Sequence, residues 1–280
     1  MKRRRFFGLT AVGAATLLPS RPSPLAAAPH PAWQRDGVGS IARIGLLTPA
    51  FDPVPESEAW AMAPPGVSIH ASRMPWQRGD PRASAESPHV DSAVELLADV
   101  KPRAIMYGYT SSSYVLGAAG DEAFRSRLEK AAAGVPVILA AQAASAALRM
   151  VNARRVAIVH PPWFSDEVNE KGGAYFESQG FTVVSCAQLL PRRDFEEVPP
   201  AEVYERVAKT MPKEAEAVLI AGNGLRAVGV IQALEEHLRR PVLTANQVTL
   251  WAALKTVGSA PEITQFGRLF RAGPRTEPRR

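Results

Sequence analysis

An α/β fold made of two pseudo-symmetric parallel-sheet halves facing a central cleft is predicted by two observations. Short apolar, β-branched runs alternate with amphipathic stretches, and the whole series occurs twice along the chain. In the first series the strands read as residues 43–48 (RIGLLT), 67–73, 104–109 (AIMYGY) and 136–140 (PVILA). In the second they read as 155–160 (RVAIVH), 181–186 (FTVVSC), 217–221 (AVLIA) and 241–245 (PVLTA). Helical patterns occupy 92–100, 121–133, 166–179, 201–211 and 227–238. Continuous apolar strands separated by helices belong to parallel sheets with both faces covered, because each crossover helix packs back on the sheet.

The duplication is visible in the residues. PVILAAQAASAAL (136–148) matches PVLTANQVTLWAAL (241–254), with Gln142 and Gln247 each six residues after the proline. Ahead of each lies an apolar strand and a Ser- or Gly-rich turn, TSSSYVLG (110–117) in one case and GNGLRAVG (222–229) in the other. The halves are therefore placed at 41–150 and 151–260, with a C-terminal tail at 261–280. The Pro-rich segment 52–65 reads as a surface loop or a lid. Open α/β sheets bind ligands beyond the carboxyl ends of their strands. A site is accordingly expected in the loops starting at Thr48, Tyr109, His160 and Gly222.

Residues 1–28 read as a signal peptide of twin-arginine type. Lys2, Arg3, Arg4 and Arg5 precede Phe6 and Phe7, and a weakly apolar stretch follows at 8–18. That stretch is too short for a membrane span, which needs about 20 apolar residues. Ala26, Ala27 and Ala28 offer a small-residue cleavage site. The expectation is delivery by the twin-arginine export machinery to the periplasm or beyond, with 29–40 as a linker. Removing the leader takes five positive charges and no acids, so the formal net charge of +6 falls to about +1. A chain so nearly neutral has no field for nucleic acid, and no membrane association is expected after cleavage. Oligomeric state stays open.

One cysteine, Cys186, permits neither an internal disulfide nor a cysteine-based metal cluster. Its hydrophobic setting at the end of a strand reads as structural. The five histidines are scattered without ligand spacing. Gly222-Asn223-Gly224 is too short for a phosphate loop or a dinucleotide fingerprint. No metal and no cofactor is therefore expected.

The candidate ligand site is the turn Thr110-Ser111-Ser112, where hydroxyls and free N–H groups suit a carboxylate or phosphate. Gly222, Asn223 and Gly224 form the matching corner of the second half, where the backbone can approach a ligand closely. Pro49, at the end of the first strand, completes the substrate-binding set. Asp52, Glu56 and Asp166 also follow strand ends, Asp166 as a helix N-cap.

RIGLLTPAFDPVPE, AIMYGYTSSSYVLGAAGDEAF, ARRVAIVHPPWFSDEVNEKGGAYFESQGF, AVLIAGNGLRAVGVIQALEEHLRRPVLTANQ and the late GRLF (267–270) together resemble the aspartate/glutamate racemase superfamily. The nearest branch is that of arylmalonate decarboxylase and maleate cis-trans isomerase, and the resemblance spans nearly all of 41–270. It implies a cofactor-free enzyme acting on the carbon beside a carboxylate of a small carboxylic acid. It further implies one or two catalytic cysteines, one at a strand end in each half, and an enediolate stabilised by the Thr-Ser turn. The positions matching those cysteines hold Tyr109 and Gly222. Candidate replacements as proton donor are Tyr109, a better acid than base with its ordinary pKa near 10, and His160, which titrates in a useful range.

Three functions remain open on the sequence. One is a decarboxylase or isomerase with a non-cysteine proton donor. The second is a non-catalytic carboxylate-binding protein on the same fold. The third uses Ser111 or Ser112 as a nucleophile and requires His160 beside it.

Overall fold

The Val-, Ile- and Leu-rich runs form two four-stranded sheets. The first holds β1 (Ala42–Pro49), β2 (Val67–Met74), β3 (Ala104–Tyr107) and β4 (Val137–Leu139), in the order β2-β1-β3-β4. The second holds β5 (Arg155–His160), β6 (Thr182–Gln188), β7 (Ala217–Ile220) and β8 (Val242–Thr244), in the identical order β6-β5-β7-β8. Every pairing is parallel. This computed structural model describes residues 37–190, 198–259 and 263–271. The leader, most of the linker and the end of the tail lie outside them. Among the described residues no helix is long and apolar enough to cross a membrane.

Helices cover both sheets: α1 (Val54–Met62), α2 (Pro81–Glu86), α3 (Pro88–Ala98), α4 (Thr110–Ala131) and α5 (Ala140–Met150) in the first half. The second half carries α6 (Asp166–Ser178), α7 (Pro200–Thr210), α8 (Ile231–Leu238) and α9 (Ala245–Thr256). The matched segments 136–148 and 241–254 each become a short strand running into a helix, and the two helices, α5 and α9, pack on each other. Buried Ala141, Ala144 and Ala147 of α5 permit that close approach. One hydrophobic cluster joins Ile44, Leu46 and Met106 of the first half to Val218, Ile220 and Leu250 of the second. Burying each such side chain stabilises the fold by roughly 1.5–3 kcal/mol, so the halves do not separate without exposing core.

Three local expectations are corrected. The Pro-rich segment 52–65 contains the helix α1, since Pro53 and Pro55 fall at its start, where no intrahelical N–H is needed. The helix expected after Gly120 begins at Thr110, because β3 stops at Tyr107 and Tyr109 (φ −149°, ψ 82°) turns the chain. Gly117 (φ 71°, ψ 172°) then breaks α4 in its interior. Ser165, not Asp166, caps α6, its hydroxyl accepting from the Val168 N–H at 3.2 Å. In the tail, residues 263–271 pack on the second half: Gln247 donates to Phe266 O at 2.7 Å and Leu269 is buried.

Candidate active site

The central strands end level, Leu47 beside Tyr107 and Val159 beside Ile220. Their four following loops therefore emerge at one edge and enclose a cleft between the halves. The first half lines it with Phe51, Asp52 and residues 108–111, the second with Trp163, Phe164 and residues 222–224. The cavity measures about 30 Å³, roughly the liquid volume of one water.

Across this cleft the two predicted corners meet. Thr110, the first residue of α4, donates its backbone N–H (3.0 Å) and its hydroxyl (2.6 Å) to Asn223 Oδ1. The Asn223 amide is held in turn, Nδ2 donating to Asn246 Oδ1 at 2.8 Å. Asn246 Nδ2 donates to Asn223 O at 2.8 Å and to Glu58 Oε2 at 2.7 Å. Glu58 Oε1 accepts the N–H groups of Ala227 (2.7 Å) and Val228 (3.0 Å). A carboxylate of α1 thus ties the second half to the first. Burial pushes Glu58 up to about 7, against the lowering effect of its three donors. The sequence reading missed Glu58 and Asn246. The available signal was spacing: once 54–62 is a helix, Val54, Glu58, Ala59 and Met62 share its buried face.

The predicted ligand residues divide. Ser111, Gly222, Asn223 and Gly224 line the cleft, as does Thr110, although its donors are spent on Asn223 and not on a ligand. Ser112 is fully buried, its hydroxyl donating to Tyr109 O at 2.8 Å, so it faces the helix interior. Pro49 is buried beneath the cleft and accepts the Asp52 N–H at 3.1 Å, closing the turn that presents Asp52. Gly222 (φ +86°) adopts a backbone conformation suited to glycine, and a Cβ there would lie 2.3 Å from Pro161 Cγ. The position matching the second cysteine therefore has no room for a side chain.

Of the two proposed proton donors, Tyr109 lines the cleft and His160 does not. The Tyr109 hydroxyl accepts from Trp76 Nε1 at 3.0 Å, its ring joining the first-half cluster, and Trp76 packs against Phe51 with ring centroids 4.2 Å apart and planes tilted by 42°. Burial raises the Tyr109 pKa, so the phenol stays protonated near neutrality. His160 is fully buried and does not line the cleft. Its ring packs between Tyr114 and Phe164, each 5.4 Å away by centroids, and α6 closes over it at Gly172. Burial lowers its pKa to about 4, leaving a neutral core imidazole. The histidine is thus not brought beside Ser111 or Ser112, and the serine-nucleophile arrangement is not assembled. Cys186 lies 3.7 Å from His160 Nδ1 and 3.3 Å from Asn169 O, away from the cleft, and burial raises its pKa to about 11.

Asp52 is the carboxyl of the cleft. It is 4 % exposed, its Oδ1 accepts the Val54 N–H at 3.0 Å, and Arg73 Nη1 donates to its carbonyl at 2.6 Å. Burial raises its pKa to about 6, opposed by the Val54 hydrogen bond and by Arg73.

Comparison with known proteins agrees with this architecture. A maleate isomerase of Pseudomonas putida is 26 % identical over 251 residues, 82 % of this chain and 97 % of that protein. Among solved structures, Nocardia farcinica maleate cis-trans isomerase with a covalently bound succinylcysteine intermediate superposes with a TM-score of 0.74 at 24 % identity, covering 83 % of this chain and 99 % of that one. An arylmalonate decarboxylase superposes with a TM-score of 0.71 at 24 % identity, covering 82 % and 100 %. The arylmalonate decarboxylase family model matches residues 44–270, both sheets and all four cleft loops, and the chain belongs to that family.

Proposed function

We propose that the protein is a cofactor-independent lyase or isomerase that forms and protonates an enediolate beside a carboxylate of a small carboxylic acid, without a thiol. The observation that carries this is the meeting of one strand-end corner from each half at a single cleft, Thr110-Ser111 against 222–224. Relatives named for maleate and arylmalonate indicate the substrate class. Ser111 and the backbone of 222–224 face the space where carboxylate oxygens gain charge. Preorganised donors of this kind are worth roughly 3–4 kcal/mol to such a transition state. The Thr110–Asn223 pair acts by holding the two corners in register. A substrate larger than water requires the cleft, lined in part by Phe51 and Trp163, to widen. We further propose that the protein works outside the cytoplasm, after twin-arginine export.

The test is NMR in D₂O with the mature protein and a panel of malonates, maleate and α-aryl carboxylic acids. Loss of CO₂, deuterium at the α-carbon or a change of alkene geometry supports the enzyme. Saturable binding without any of these would instead make it a carboxylate-binding protein on the same fold.

A further inference from the structure

We infer that Asp52 is the proton-carrying catalytic residue of this cleft, donating the proton to the carbon that loses carbon dioxide from a malonate-type diacid. This rests on the enzyme reading above and names the group that reading leaves unassigned.

A proton carrier must touch the reacting carbon while the donors beside it hold the carboxylate. Ser111, the backbone of 222–224 and Asp52 line the same cavity of about 30 Å³, so a group held there lies against all three. Asp52 is fixed as a catalytic group needs to be. The Pro49–Asp52 turn, the Val54 N–H on Oδ1 and the Arg73 side chain on the carbonyl set its backbone and one oxygen. Tyr109 lines the same cavity, but burial raises the pKa of its phenol, so unlike Asp52 it does not alternate between acid and base near neutrality, and Gly222 carries no side chain. Arg73 of β2 favours the ionised form of Asp52, and Asp52 in turn raises the pKa of Glu58 of α1.

The step balances without a co-reactant. The bond between the α-carbon and the departing carboxylate breaks, and its electron pair passes into the enediolate of the retained carboxylate as carbon dioxide leaves. The Asp52 O–H bond then breaks as the new C–H bond forms, and solvent reprotonates the Asp52 carboxylate. The products are carbon dioxide and the monocarboxylic acid. In the reverse sense the ionised Asp52 removes an α-proton, which appears as exchange with solvent.

The experiment compares the mature protein with Asp52→Asn and Asp52→Glu, using phenylmalonate and methylmalonate for decarboxylation and phenylacetate for α-proton exchange. Asp52→Asn keeps the acceptor for the Val54 N–H, so unfolding is not the expected effect. It should lower kcat about 10²–10⁴-fold, and Asp52→Glu should restore part of it. In the unaltered protein decarboxylation should fall as pH rises through about 6, while exchange should rise over the same range. Both dependences should vanish in Asp52→Asn. Unchanged turnover and an unchanged pH profile in Asp52→Asn would overturn the assignment and leave the enzyme reading standing. Absence of turnover in the unaltered protein would overturn both.

Discussion

Thr110 gives both its backbone N–H and its hydroxyl to a single oxygen of Asn223, at 3.0 and 2.6 Å, and this buried pair joins the two halves beside the cleft. Two residues that the sequence marks as ligand contacts satisfy each other. Removing the Thr110 hydroxyl takes away one of two donors to Asn223 Oδ1 and leaves the backbone N–H in place, a loss of about 0.5–1.5 kcal/mol.

Thr110→Val should therefore lower stability by about that amount, read as a drop in Tm. Ser111→Ala should leave Tm nearly unchanged and weaken binding of malonate. The pair of variants measured by thermal unfolding and by calorimetric titration separates clip from ligand contact. Equal loss of affinity with no loss of stability in Thr110→Val would show that its donors serve the ligand.

Gly222 combines a φ of +86° with a Cβ site 2.3 Å from Pro161. Gly222→Ala should destabilise by about 1–3 kcal/mol, through backbone strain and overpacking together. Gly222→Cys should do the same and fail to improve turnover. A Gly222→Cys protein of unchanged Tm would mean that the Pro161 loop yields readily.

Stability should depend on pH through two buried groups with opposite signs. Glu58 titrates near 7 folded and at 4.5 unfolded, so between these values the folded state holds the extra proton and stability falls as pH rises. His160 titrates near 4 folded and at 6.5 unfolded, so the unfolded state holds the extra proton and stability is lost as pH falls from 6.5 towards 4. Each effect amounts to roughly 3 kcal/mol at full extent. Denaturant unfolding at pH 5 and pH 8 should show Glu58→Gln gaining on the unaltered protein at the higher pH. His160→Gln should gain on it at the lower. A pH-independent difference for either variant would refute that assignment.

Replacing Arg4 and Arg5 by Lys should hold the precursor in the cytoplasm. Cell fractionation reads the outcome, and normal export of that variant would exclude the twin-arginine route.

The sequence alone determined that there are two strand–helix series, roughly where each strand lies, and which strand-end loops line the cleft. Continuous apolar runs and a repeat of the form PVILAAQ and PVLTANQ are local patterns, and local patterns specify elements and their connection. Proton chemistry was not legible in this way. Tyr109 and His160 were selected as titratable groups at strand ends, but a strand end does not say which way a side chain turns. Packing decided that: α6 closes over His160 at Gly172, and Trp76 holds the Tyr109 hydroxyl. The partners of Glu58 and Asn246 were not legible, because they are 169 and 23 residues away in the chain, at Ala227 and Asn223. The Glu58 bond exists only after the halves dock, and the Asn246 bond only after β7 and β8 pair and bring their following segments together. Asp52 was one of several acids after strand ends until the fold placed it beside Ser111 and Gly222, where burial changes its protonation. Side-chain direction and desolvation arise from neighbours distant in sequence, so only the tertiary structure decided them.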